Sequence, residues 1–220
     1  MSMYGLHFGF YVAIFNPLSD PIFKGVYGLK DAEIKGLIGN VNMFFGIGSF
    51  FSILISGSLA EKIGRRKLLI IYDVGALISA CLYLVKDLRV LQLARFLSGF
   101  FANGQGIISS ILVTETLPKK ISGLANSILF GVSTGCLFIA YIQPYIFTRE
   151  QIIEHWRPIL CWPIVFFVIK IALFLIFVTK DSPKFYIKTN FKGSTKESLI
   201  SNLNEIYSQT HRESQIDDIT

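Results

Sequence analysis

The chain has 220 residues, of which 52% are hydrophobic and only 16% charged, and its mean hydropathy is +0.53. Ordinary soluble domains carry roughly 25% charge, and a soluble helical bundle needs a polar face on most of its helices; the apolar blocks here lack one, which excludes a soluble core. The net charge of +6 is assigned to anionic lipid headgroups and not to nucleic acid, because the cations flank the apolar blocks.

Six blocks have the length that crosses a bilayer, about 20 residues at 1.5 Å rise each: 5–23, 37–59, 68–85, 90–113, 124–147 and 158–179. The first begins almost at Met1, without a basic leader or a small-residue cleavage site, and is read as a span and not as a signal peptide. The second holds Gly46 and Gly48 and runs into "GSLAEKIGRRK", residues 57–67, where Glu61, Lys62, Arg65, Arg66 and Lys67 crowd into one short turn. The fourth carries Arg95 near its start and then Gly99, Gly104 and Gly106; the fifth carries the small-xxx-small pair Gly131 and Gly135. Small residues of this kind let helices approach closely in lipid.

The sixth block places Lys170 mid-span, where a lysine costs about 2.5–3.5 kcal/mol on insertion scales. It is expected to snorkel towards the interface, to meet an acidic or carbonyl partner at an interface with another half-bundle, another subunit or an anionic lipid, or to face a cavity. Beyond it the composition turns polar, which divides the chain into a bundle, 1–180, and a cytoplasmic segment, 181–220. There Ser194 and Glu197 form a capping-box pattern, and Leu199, Ile200, Leu203, Ile206 and Tyr207 recur at helical spacing, predicting a short amphipathic helix.

Six spans put both termini on one side. Lys and Arg are densest there, at Lys62–Lys67 and again at Lys180, Lys184, Lys188 and Lys192, so that side is predicted to be cytoplasmic. Cys81, Cys136 and Cys161 all fall inside spans, giving neither a disulfide framework nor metal-ligand spacing. No Walker-type glycine loop occurs. No cofactor, metal or catalytic residue is assigned, and the chain is not read as an enzyme.

Four segments carry a family resemblance. "GSLAEKIGRRK" resembles the Gly-x-x-x-Asp-x-x-Gly-Arg-Arg/Lys signature of the major facilitator superfamily, with Gly57, Glu61, Gly64, Arg65 and Arg66 in place and Glu for the usual Asp. "FGFYVAIFNPL", "LARFLSGFFANGQGIISSILVTETLP" and "DSPKFYI" resemble successive segments of its sugar-porter branch, in family order, so the likeness covers residues 5–208. It implies an all-α membrane fold: the N-terminal six-transmembrane-helix half-bundle of the major facilitator fold, plus a short amphipathic cytoplasmic helix.

The resemblance also implies roles. A cytoplasmic latch would comprise Gly57, Glu61, Gly64, Arg65, Arg66, Glu115, Asp181 and Lys184, with Arg65 or Arg66 bonded to Glu115. The turn glycines would allow close backbone approach. As an exposed network each pair would contribute about 0–1 kcal/mol. Asn16, Arg95 and Phe130 would line the substrate pathway.

Three departures qualify this. Tyr11 stands where proton-coupled members have Asp, and the acids Asp20, Asp73 and Glu115 read as lying near span ends, so Arg95 is not expected to work in proton coupling. Ser122 and Phe130 stand where the branch has Arg and a sugar-contacting Gln. The family has twelve spans in two halves around a midplane site, so a second six-helix half or a partner subunit is expected. The resulting expectation is facilitated, alternating-access transport of a hexose, a polyol or another small organic solute. The alternative is a degenerate, non-transporting structural subunit of a membrane assembly.

Overall fold

The computed structural model describes residues 13, 15–117 and 119–177. The segment 181–220, expected to be cytoplasmic and to hold an amphipathic helix, lies outside the described residues, as do Tyr11, Asp181 and Lys184. Among the described residues seven helices follow in order: α1 (Phe15–Gly25), α2 (Asp31–Ile63), α3 (Arg65–Leu82), α4 (Leu88–Thr116), α5 (Lys119–Ile146), α6 (Arg149–Glu154) and α7 (Trp156–Phe177). There is no strand among the described residues. The helices α2 and α4, and α5 from Lys120 to Ile142, are each long and apolar enough to cross a membrane by length and composition.

The ends of the helices follow from local chemistry. Asp31 and Glu33 sit in the first turn of α2 and Lys62 in its last, each sign facing the pole of the helix dipole that favours it. Gly64 then turns the chain directly into α3 with φ +97°, a conformation that favours glycine. The Asp87 carboxylate caps α4 by accepting from the backbone N–H groups of Arg89 and Val90. Leu117 leaves the helix with an extended backbone, as a residue before proline must. The spans read from the sequence leave 148–157 as a connection. The structure shows α6 there, started by a capping box between Thr148 and Gln151, a Thr-x-x-Gln signal that is legible in the sequence.

Burial is inverted relative to a water-soluble bundle. Ser52, Ser56, Asp73, Ser79, Arg95, Ser98, Gln105, Ser109 and Lys170 are buried, while Phe50, Leu54, Ile78, Leu124, Phe138 and Ile176 are each more than half exposed. An exterior this apolar requires a hydrocarbon surround, and the buried hydroxyls and amides hold helices together where lipid supplies no hydrophobic drive between them.

The most extensive helix pair is α2 with α4, followed by α3 with α4. The first pair closes to backbone contact at two reciprocal points. A methyl group on Gly48 would overlap the Phe96 carbonyl oxygen, and one on Gly99 the Phe45 carbonyl oxygen. Other glycines differ from the sequence expectation. Gly46, Gly106, Gly131 and Gly135 face open space, and so does Gly57, which lies within α2 and not at a turn. Of the two motif glycines, only Gly64 is required by the backbone.

Replacing Gly48 or Gly99 with Ala is expected to force α2 and α4 apart and to cost about 1–3 kcal/mol, the range for overpacking. Gly57→Ala, with nothing to displace, should leave stability unchanged or raise it by up to about 1 kcal/mol through helix propensity. Thermal unfolding in detergent reads both, and equal effects at Gly48 and Gly57 would contradict the close-contact assignment.

Candidate functional site

One end of the bundle is held by Arg65. Its guanidinium is forked onto Glu115, with Nε donating to Oε2 at 3.0 Å and Nη2 to Oε1 at 2.9 Å. Its Nη1 donates to the Ala60 carbonyl, 3.3 Å away, in the last turn of α2. One side chain therefore ties the end of α2, the start of α3 and the end of α4. Of the latch residues, the structure brings Arg65 and Glu115 together.

The pair also departs from the expectation of an exposed network, because its side chains are only 10% and 11% accessible. Three helix ends converge on it and exclude water. Charge-assisted hydrogen bonds of this kind are worth about 1.5–3 kcal/mol, and bidentate geometry adds directional specificity.

Halfway along α4 the chain presents a stripe at helical spacing: Gly99, Asn103, Gly106 and Ser110. Opposite it, α5 presents Asn126 and, one turn on, Phe130. Asn103, Gly106, Ile107, Ser110, Ile111 and Phe130 line a cavity of about 350 Å³. Asn103 Nδ2 donates to Ser49 Oγ at 2.6 Å and to the Gly99 carbonyl at 3.3 Å. Ser110 Oγ donates to Asn126 Oδ1 at 3.1 Å, and Asn126 Nδ2 donates to Thr114 Oγ1 at 3.2 Å. None of the lining residues is charged, so the cavity suits a neutral solute.

Of the three expected pathway residues, the structure brings Phe130 to this cavity. Arg95 is 1% exposed, with its guanidinium over the Phe15 ring at 4.4 Å and near the Phe45 ring at 5.6 Å; Tyr83 is its hydrogen-bonding neighbour. Asn16 accepts from Asn42 Nδ2 at 2.9 Å, ahead of Ser49 on α2 and outside the cavity lining. A larger groove of about 710 Å³ between α5 and the α6–α7 segment is almost wholly apolar. Gln151, one of its polar residues, already completes the α6 cap, so the groove offers a solute little to bind.

The sequence reading puts Asp73 near a span end and leaves the partner of Lys170 to another half, subunit or lipid. The structure corrects both. The α3 helix begins at Arg65, directly after Gly64, which moves Asp73 to mid-helix. Lys170 Nζ donates to Asp73 Oδ1, and Gln105 Nε2 donates to the same oxygen at 2.8 Å. All three side chains are buried, joining α3, α4 and α7 inside one half-bundle. A charge that would be costly alone is tolerable beside its counter-charge.

The cavity is polar but uncharged, sits halfway along two long apolar helices, and lies beyond a basic turn clasped to the end of α4. A family model described as "Sugar (and other) transporter" matches residues 1–218. The chain belongs to that family. Among its relatives, "Monosaccharide-sensing protein 3" of Arabidopsis thaliana is 27% identical over 174 residues, 77% of this chain and 23% of that protein. "Arabinose-proton symporter" of Bacillus subtilis (strain 168) is 26% identical over 197 residues, 79% of this chain and 41% of that protein. The chain thus spans less than half the length of either relative.

A solved structure of the "MFS (major facilitator superfamily) proton:xylose symporter XylE bound to 6-bromo-6-deoxy-D-glucose" superposes with a TM-score of 0.80 at 17% identity, covering 99% of this chain and 50% of that one. The inward-open xylose transporter from E. coli gives 0.72 at 16%. The fold of this family member is therefore one half of the major facilitator architecture: all-α, integral and multi-pass in a membrane. The family is one of transporters and not of enzymes.

The buried pair makes a sharp prediction. Lys170→Met or Asp73→Asn alone should cost about 3–5 kcal/mol, because each leaves a lone buried charge. The double variant should regain most of that loss, since the amide that replaces the carboxylate keeps an acceptor for Gln105 and no charge remains. A double-mutant cycle on thermal stability in detergent measures the coupling, and additive losses would show that the two charges do not pair.

Proposed function

We propose that this chain is the first half of an alternating-access carrier for a neutral sugar or polyol, operating by facilitated uniport, with the Arg65–Glu115 end facing the cytoplasm. The observation that carries the reading is the uncharged, amide- and hydroxyl-lined cavity halfway along α4 and α5 in a chain of the sugar transporter family. A second six-helix half would cover that face and complete the site, as in inverted-repeat carriers generally. Uniport is supported by two placements. The buried acid Asp73 is committed to Lys170, and the surroundings of Arg95 include the Phe15 and Phe45 rings. The orientation is supported by the density of cations at the α2–α3 turn.

Reconstituted into liposomes as the protein occurs in its full length, the carrier should take up a labelled hexose or polyol saturably. A trans solute should accelerate uptake, and a protonophore should leave it unchanged. Accumulation driven by an imposed proton gradient would overturn uniport. The second reading, a non-transporting structural subunit, draws on Phe130 and Ser122 standing where the family resemblance expects Gln and Arg. Correct insertion without uptake of any hexose or polyol would select it.

The latch role has its own test. Glu115→Lys places a cation against Arg65 and should open that end. A cysteine at Ile111, in a background with the three native cysteines replaced by serine, should then react several-fold faster with an impermeant thiol reagent applied from the cytoplasmic side, and uptake should fall several-fold. Unchanged labelling would remove the latch role, and labelling from the opposite side alone would reverse the orientation.

A further inference from the structure

The staple of Asp73, Gln105 and Lys170 uses only part of its own hydrogen-bonding capacity. Asp73 Oδ1 accepts from Lys170 Nζ and from Gln105 Nε2, while no described residue donates to Asp73 Oδ2. A carboxylate only accepts, so Gln105 must turn N–H to Asp73, and its Oε1 has no described donor either. Ser109 follows Gln105 by one helical turn on the same face of α4, and its hydroxyl has no described partner. Asp73, Gln105 and Ser109 are 0%, 1% and 1% exposed. A buried ion pair is tolerable when further hydrogen bonds engage its remaining lone pairs, and buried hydroxyls and amides require the same.

The surroundings decide what can engage these three oxygens. Phe167 and Phe174 lie about one turn to either side of Lys170 on α7, and both are buried. Phe167 belongs to the apolar cluster of Ala76 and Ala80 from α3, and Phe174 to that of Leu69 from α3 and Ile108 from α4. Apolar side chains therefore close the polar spot at both ends, and it admits only a small molecule. A metal cation there would set a second positive charge beside the Lys170 ammonium, and an anion would face the carboxylate. The group required is neutral, donates to Asp73 Oδ2 and to Gln105 Oε1, and accepts from the Ser109 O–H. Water meets all three conditions, and buried waters typically make about three hydrogen bonds to groups otherwise without partners.

We propose that a single water molecule is bound among Asp73, Gln105 and Ser109, donating to Asp73 Oδ2 and Gln105 Oε1 and accepting from Ser109 Oγ. The water completes the hydrogen bonding of the carboxylate and adds a second link between α3 and α4. It lies on the face of α4 turned to α3 and α7, away from the α5 cavity, so the inference is independent of what the chain carries.

Synchrotron radiolysis of the full-length protein in lipid nanodiscs tests this, because hydroxyl radicals formed from a bound water oxidise the side chains beside it. Phe23, equally buried on α1, is the dry control. Phe167 or Phe174 should be oxidised several-fold faster than Phe23. Gln105→Met, which keeps an unbranched side chain but no amide, should bring that rate down to the Phe23 level. Should that variant fail to fold, Ser109→Val, whose methyl groups take the place of the water, should do the same. Rates at Phe167 and Phe174 no higher than at Phe23 would overturn the water site, as would raised rates that the folded variant leaves unchanged. Two further results would put another occupant there and overturn it equally. One is an infrared carboxylic acid band that Asp73→Asn removes, which would place a proton on Oδ2 donating to Gln105. The other is a thermal midpoint raised by sodium but not by choline, with the difference abolished in Ser109→Val, which would place a cation there.

Discussion

The two most extensive helix contacts among the described residues are both made by α4, and α4 holds its place through backbone contact with α2 at Gly48 and Gly99. In water, two apolar faces would be driven together whatever their side chains. In lipid that drive is missing, and helices associate through close packing and polar contacts. The paired glycines allow the first and so bring the second within reach. At this separation Asn103 reaches Ser49, and Ser49 Oγ donates to the Phe45 carbonyl at 2.9 Å. A side chain at either glycine would open the interface that sets the geometry of every other face of α4.

Those faces do different work at helical spacing. Arg95 and Ser98 lie near the start, where aromatic rings and Tyr83 surround them. Gln105 points into the contact with α3 and joins the Asp73–Lys170 pair. Asn103, Gly106 and Ser110 point towards α5 and make the cavity. Glu115, at the end, receives Arg65. A single 29-residue helix therefore carries a packing seam, a charge staple, a polar cavity wall and a clasp, separated by rotation about its axis.

The two ion pairs are unlike each other. Asp73 and Lys170 are sealed in the bundle between α3 and α7, with Gln105 sharing the carboxylate oxygen. Their burial fixes register, because neither charge can leave without the other. Arg65 and Glu115 sit where three helix ends meet at the edge of the bundle. There, water can replace protein partners once the ends separate, so this pair can be broken at tolerable cost. The first arrangement suits a fixed framework and the second a moving part.

The sequence by itself determined the membrane class, because block length and hydropathy follow directly from the bilayer as solvent. It also determined the basic turn, because Gly64 and its flanking charges are local, whereas the pairing of Arg65 or Arg66 with Glu115 was implied only by the family resemblance that the turn's motif carries. The capping box at Thr148 and the Asn103–Gly106–Ser110 stripe are legible in the same local way but are hidden among many small and polar residues. Which glycines pack was decided only by tertiary structure: Gly48 and Gly99 face backbone while Gly57 and Gly131 face open space, and composition does not distinguish them. The partner of Lys170 was likewise decided there, since Asp73 lies 97 residues away and a buried charge pair leaves no periodic trace. Local rules fix where a helix starts and which residues share its face. Only packing fixes what that face meets, because the rotation of each helix is set by neighbours that the chain reaches much later.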